Sequence, residues 1–295
     1  MRVRSFLSLP LIALVVAALP AFSRADDYDN RRTWSAGWQI AGRPDVHIVT
    51  DDAAVRLHAT DGDSVTVRVR SHGHANGFLF SHREPRVSFD REGRRVDIEV
   101  RAGSTSGMFV FTTRQIEVDV YAPTGSDVSL RSGDGRVQLE GLSGRIDVST
   151  GDGSIQASQL EGVVSLRSGD GHILADEIRG SLMVDTHDGG ADVSGRFSGL
   201  GVQSGDGHVE VRMDRGTDLR EGGSIESGDG HIVVRVPEDM RLTFDARTDD
   251  GGLHVDLPVV IRDRGEHHAV HGSLNGGGPR LSVRSHDGSV RIEGL

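Results

Sequence analysis

From residue 128 onward the apolar positions keep a fixed beat. Val128, Leu130, Val137, Leu139 and Leu142 are answered 18 residues later by Ile146, Val148, Ile155, Ala157 and Leu160, then by Val164, Leu166, Ile173, Ala175 and Ile178. Each unit holds two short runs in which apolar and polar residues alternate, the pattern of a strand with one face on a core. Between the runs stands one turn in five versions: Ser132-Gly133-Asp134-Gly135, Thr150-Gly151-Asp152-Gly153, Ser168-Gly169-Asp170-Gly171, Thr186-His187-Asp188-Gly189 and Ser204-Gly205-Asp206-Gly207. A unit this small cannot bury its own core, so a fixed period predicts units stacked on their neighbours.

Two architectures fit such a unit. In a β-solenoid each strand pairs in parallel with its equivalent 18 residues away, which places Leu142, Leu160 and Ile178 over one another. In a chain of hairpins the two strands of one unit pair with each other, and Asp-Gly between apolar runs is a hairpin signal. The solenoid accounts better for the rigid period. A left-handed helix of hexapeptides needs an apolar residue at every sixth position; the gaps here run 2, 7, 2, 3 and 4, which excludes it.

Before the repeat, from Trp34 to Val120, the pattern is β without a clear period. Val65 to Val69, Val96 to Val100 and Ile116 to Val120 alternate strictly, Gly73 to Gly77 and Gly103 to Gly107 read as loops, and Tyr121-Ala122-Pro123 ends a strand. Sustained helical spacing with caps is almost missing. After Asp206 the period loosens, with Asp214 to Gly223 read as an inserted loop and Gly265 to Pro279 as another. The prediction is therefore an all-β, elongated single-chain solenoid, β-helix-like with 18-residue rungs, over 124–295. An irregular β-rich part precedes it over 45–123, with a linker over 26–44 and a leader over 1–25.

The leader follows from Arg2 and Arg4, the apolar stretch Phe6 to Leu19, and the small-x-small site Ser23-Arg24-Ala25. Basic start, short apolar run and small-residue cut mark a secretory signal peptide, and the run is shorter than the ~20 residues a membrane span needs. The expectation is an exported chain, periplasmic or at the cell surface. Cysteine is absent, so stability rests on packing and hydrogen bonds. Net charge is −11, and −14 without Arg2, Arg4 and Arg24, which repels polyanions and argues against nucleic acid. Forty glycines with 4% aromatic residues suit a chain that turns often and packs thin layers.

The Ser-Gly-Asp-Gly turns, the strand ending in Tyr121-Ala122-Pro123, and Leu274-Asn275-Gly276-Gly277-Gly278-Pro279 before the last strand pair resemble the bacterial candidate-adhesin β-strand-repeat family, domain-of-unknown-function family 4097. The resemblance covers roughly Asp45 to Leu295. It implies an exported or envelope-associated solenoid-like domain and brings no catalytic residues with it.

Stacking makes a ladder of Asp134, Asp152, Asp170, Asp188 and Asp206, with about 4.8 Å between neighbours. Two unit charges at that distance repel by roughly 0.9 kcal/mol in water. Either each carboxylate sits in solvent and hydrogen-bonds its own turn, or Ca²⁺ bridges successive turns, although one Asp-Gly turn per unit is sparse for an ion wanting six to eight oxygens. His267, His268 and His271 beside Glu266 lie in a glycine-flanked loop without His-Glu-x-x-His order, which favours exposed histidines over zinc ligands. His172, His208 and His231 each follow a Gly-Asp-Gly turn; His172 and His208, two layers apart, stand near 10 Å, too far to share one ion directly. They could protonate together and offset the Asp ladder. No nucleophile elbow, phosphate loop or dinucleotide fingerprint occurs.

The expected function is a non-catalytic, adhesin-like binding or structural module of the cell envelope, with an envelope protein or glycan as partner and end-to-end self-association as an option. A calcium-stabilised surface repeat is the alternative, and a polysaccharide-active β-helix enzyme a third.

Overall fold

The computed structural model describes residues 28–29, 32–82, 84–103, 105–264 and 268–295. The expected leader lies outside them. Every regular element among the described residues is a β-strand. The strands form two long ladders that face each other across a thin core, joined through Ile173–Thr186 and Ala191–Ser204, which run from one ladder into the other.

Across the repeat the pairing is parallel and in register, save for shifts between Ala175 and Ile178 and between Gly180 and Ser181, where Ile173–Thr186 meets Ala191–Ser204. In the first sheet Val128 lies beside Ile146, Ile146 beside Val164, Val164 beside Leu182, and Leu182 beside Leu200. In the second, Val137, Ile155, Ile173, Ala191 and Val209 follow one another in the same way. The strands of one unit, such as Ser143–Thr150 and Ile155–Ser158, pair with neighbouring units and not with each other. Parallel register puts like on like, so the inward columns within the strands are aliphatic and buried, from Val46 through Leu200 on one side and from Val55 through Ile232 on the other, with a column of Ser and Thr where the first ladder enters the turns.

The same ladders extend past the repeat in both directions. Asp45–Thr50 pairs in parallel with Asp127–Ser132, and Ala54–Thr60 with Val137–Glu140. The boundary expected at residue 124 thus falls inside continuous ladders. Within the expected linker, Arg32–Gln39 is a strand antiparallel to Ser64–His82. The glycines at 73–77 lie within Ser64–His82, and most of 103–107 within Thr105–Pro123; these long strands pair antiparallel with each other. The expected loop over 265–279 contains Ala269–Leu274, antiparallel to Leu242–Thr248. All these departures sit at the ends, where a parallel stack must cover its last strands.

Chain order and spatial order also part company there. At one end, Asp45–Thr50 is held between Arg95–Arg101 and Asp127–Ser132. At the other, Arg280–Ser285 is held between Gly223–Ser227 and Leu242–Thr248. The partner strands of the second sheet follow the same order: Val290–Gly294 lies between Ile232–Val236 and Leu253–Asp256.

The insertion at 214–222 serves the core. Gly223 occupies an aliphatic column position without a side chain, and Leu219 of the insertion, fully buried at φ 43°, brings its methyl groups against that place.

Candidate functional site

Successive Ser/Thr-x-Asp-Gly turns lie on one another along an edge of the stack. The first residue of each faces inward: Thr150, Ser168, Thr186, Ser204, Ser227, Ser285 and Thr248 are all buried. Their hydroxyls tie the turns together. Ser168 Oγ reaches the carbonyl of Gly153 in the preceding turn at 3.0 Å and accepts from the Gly171 amide at 3.1 Å. Thr186 Oγ1 stands 3.2 Å from the Gly169 carbonyl, and Thr248 Oγ1 2.9 Å from that of Gly288. The bonding expected of the aspartates thus belongs to Ser and Thr. Thr186→Val, which keeps the side chain's shape, is expected to cost about 1–3 kcal/mol, chiefly through the Gly171 carbonyl, which loses its hydroxyl donor while the Gly169 carbonyl keeps the His187 amide, whereas Thr186→Ser stays within about 1 kcal/mol; equilibrium urea unfolding reads both.

The closing glycine of each turn is set by the turn beneath. A Cβ on Gly153 would lie 2.2 Å from the Gly135 carbonyl oxygen, on Gly207 2.0 Å from that of Gly189, and on Gly288 2.0 Å from that of Gly230. No side chain fits.

Asp134, Asp152, Asp170, Asp188 and Asp206 are exposed, one per turn. Asp134 Oδ1 and Asp152 Oδ1 lean over the next turn, each where a side chain on Gly151 or Gly169 would stand. None of the five belongs to a group of three ligand atoms within 4.8 Å among the described residues.

One such group does occur, on the outward face of the second sheet: Asp192, His208 and Glu210, whose ligand atoms lie within 4.8 Å of one another. Strand register builds it. Asp192 and Glu210 are direct neighbours on adjacent parallel strands, and His208 precedes the second of these strands. His172, one layer further back, leans forward because the next layer carries Gly190 at the equivalent place. Its ring occupies the space a Gly190 side chain would take, 3.2 Å from an imagined Cβ, and its Nε2 reaches Asp192 Oδ2 at 3.3 Å. The two-layer separation of His172 and His208 is therefore spanned by Asp192. His208 Nε2 stands 4.0 Å from Glu210 Oε2, while Arg235 pairs with the other oxygen, Oε1. Arg235 Nε also contacts Glu293 Oε2 at 3.4 Å. The Glu210 hydrogen bond, with the charges of Glu210 and Glu293, raises the Arg235 guanidinium further above its ordinary value. A hollow of about 280 Å³ opens beside Asp192 and Glu210, flanked by Leu174, Asp176, Arg212 and Arg235.

The other histidines behave differently. His231 Nδ1 meets the Ser289 hydroxyl at 3.0 Å. His267 and Glu266 lie outside the described residues. His268 Nδ1 is 3.3 Å from the Gly251 carbonyl, and His271 Nδ1 3.3 Å from Asp245 Oδ1. Nearby, His286 pairs with Asp249 at 2.8 Å; the Arg247 hydrogen bond chiefly holds the Asp249 carboxyl below its usual value.

The first sheet offers a different outer surface. Around Val163 and Met183, both about half exposed, the outward positions are Ser165, Ser181, Gly199 and Gly201, leaving a trough of about 620 Å³. Met183 lies across Gly201, where a Cβ would meet its sulfur at 2.7 Å.

Among solved structures, the chain is similar to a candidate cell adhesion protein from Clostridium sporogenes, at 12% identity over 91% of this chain and all of that one, with a TM-score of 0.29. Candidate adhesins from Bacteroides fragilis and Parabacteroides distasonis match at 11% and 12% identity, each over 90% of this chain and 97% of theirs, with TM-scores of 0.35 and 0.31. No curated protein matches it. The profile of the Toastrack DUF4097 family matches residues 45–293, a span taking in both ladders and the stacked turns, and the chain belongs to that family.

Proposed function

We propose that this protein is an exported, non-catalytic module of the bacterial cell envelope, a solenoid rod whose outer faces bind an envelope protein or glycan. The observation that carries the reading is the register of the ladders. Because equivalent residues lie side by side, outward side chains fall into rows at strand spacing, about 4.8 Å apart, on a scaffold whose core and turns leave them little freedom. A surface of that kind suits extended, repeating ligands. Departures from the repeat give it chemistry at particular layers: an apolar trough on one sheet, a His-carboxylate group on the other. The leader expected over 1–25 supplies the route out of the cytoplasm.

The test has two arms. Fractionation of cells producing the full chain is expected to place it in the periplasm or at the surface, with Met1–Ala25 removed by mass spectrometry. Purified protein is then expected to bind isolated envelopes saturably and to leave envelope polysaccharides uncleaved. Retention of the leader in the cytoplasm, or release of sugar fragments, would replace this reading.

A further inference from the structure

We propose that Asp192, His208 and Glu210 form a binding site for a divalent transition ion, zinc being the type, with His172 as the fourth donor. The donor set chooses the metal. Imidazole nitrogen with two carboxylates in a four-donor group suits zinc, which favours four tetrahedral nitrogen, sulfur or oxygen ligands. Calcium wants six to eight oxygens, and two carboxylates fall well short.

The geometry supports assembly on a rigid base. The donors project outward at three successive layers of one parallel ladder, whose inward residues Ile173, Ala191, Val193, Val209 and Val211 are buried. The ligand atoms of Asp192, His208 and Glu210 already lie within 4.8 Å of one another, and His172 joins them through Asp192, its Nε2 standing 3.3 Å from Asp192 Oδ2. Gly190 gives the fourth donor its room: a Cβ there would stand 3.2 Å from His172 Nδ1, so the ring, whose Nε2 reaches Asp192 Oδ2 at 3.3 Å, would have to give way. Arg235 takes Glu210 Oε1 and leaves Oε2 turned to His208. Such partners orient metal-bound carboxylates and commonly matter tenfold or more to affinity. The adjoining hollow gives an ion access from solvent.

The site differs from the turn aspartates in kind. Those carboxylates repeat from layer to layer, whereas this group arises where the repeat is broken: the position of Asp192 and Glu210 is filled by Gln138 and Gln156 in earlier layers.

Isothermal titration of the chelator-treated full chain with Zn²⁺ decides the matter. One saturable site is expected, weakened at least tenfold by His208→Ala, by Asp192→Asn and by Glu210→Gln. His271→Ala, which alters a histidine elsewhere, is expected to leave that site unchanged. Millimolar Ca²⁺ should not displace the zinc. All four variants are expected to melt with the parent when no metal is present, since the altered side chains lie outside the core. In the parent, zinc at a hundredfold excess over Kd should raise the melting midpoint by about 5–10 °C. Absence of a saturable site, affinity indifferent to the three substitutions at the site, or loss on His271→Ala would each overturn the assignment. Should His208→Ala fail to fold, Asp192→Asn and Glu210→Gln carry the same decision.

Discussion

Gly171→Ala is expected to destabilise the protein by about 3 kcal/mol or more, at the upper end of what overpacking costs. The added methyl would lie 2.2 Å from the carbonyl oxygen of Gly153, 2.5 Å from its carbon, and 2.7 Å from the Ser168 hydroxyl. Two of these are backbone atoms of the preceding turn, so no rotamer change relieves the contact. Relief requires the layers to part, which strains the Ser168 bonds and the strand pairing on either side. Because each layer of a stacked repeat touches only its neighbours, the damage divides the stack, and a less cooperative transition is expected with the lower midpoint. Gly62→Ala and Gly125→Ala are the controls. Nothing lies within 4 Å of either position, and both should stay within about 1 kcal/mol of the parent, with a small gain allowed by the stiffer unfolded chain. Chemical unfolding followed by circular dichroism tests the contrast; equal midpoints for Gly171→Ala and Gly125→Ala would refute the steric reading of the turn stack.

A second large effect is expected where Phe244 meets Gly272. Phe244, in the strand Leu242–Thr248, is with Phe197 one of the two largest fully buried side chains among the described residues. Gly272 lies opposite on the covering antiparallel strand, and a Cβ there would stand 2.4 Å from Phe244 Cζ. Phe244→Ala should cost about 3–5 kcal/mol through the cavity it opens. Gly272→Ala should cost about 1–3 kcal/mol through overpacking. Since both act on the same space, Phe244→Leu combined with Gly272→Ala is expected to cost less than the sum of the two single changes, with a coupling of about 0.5–3 kcal/mol. Strict additivity would mean that the ring and the glycine do not compete for that volume.

The columns were readable in advance because their cause is local. Val128, Ile146 and Val164 recur at one spacing, and parallel stacking of like on like needs no further information. The turns were readable in position but not in function. Asp is their most conspicuous residue, yet it is exposed, and the hydroxyl of the preceding Ser or Thr makes the buried bonds. Alternation carried the signal: Ser168 is in phase with buried Leu166, whereas Asp170 falls in the turn beyond the strand. The His-carboxylate group left a weaker trace. His208-Val209-Glu210 alternates about a buried valine, so its polar members share a face, but placing Asp192 beside them required the neighbouring strand. The ends were illegible for a different reason. A run such as Val96 to Val100 announces a strand with one buried face, and nothing in its composition says which strand it will lie beside.

That freedom at the ends has a mechanical consequence. In a stack laid down in simple chain order, the terminal segment borders a single neighbour and can be peeled away one bond at a time. Here a pull on residue 295 acts on Val290–Gly294, which is gripped by parallel partners on both flanks. The force must shear two ladders together before the first strand comes free. On the other side Asp45–Thr50 is clamped in the same manner, although among the described residues Arg32–Gln39 before it borders Ser64–His82 alone, so a pull from there frees that strand before it reaches the clamp.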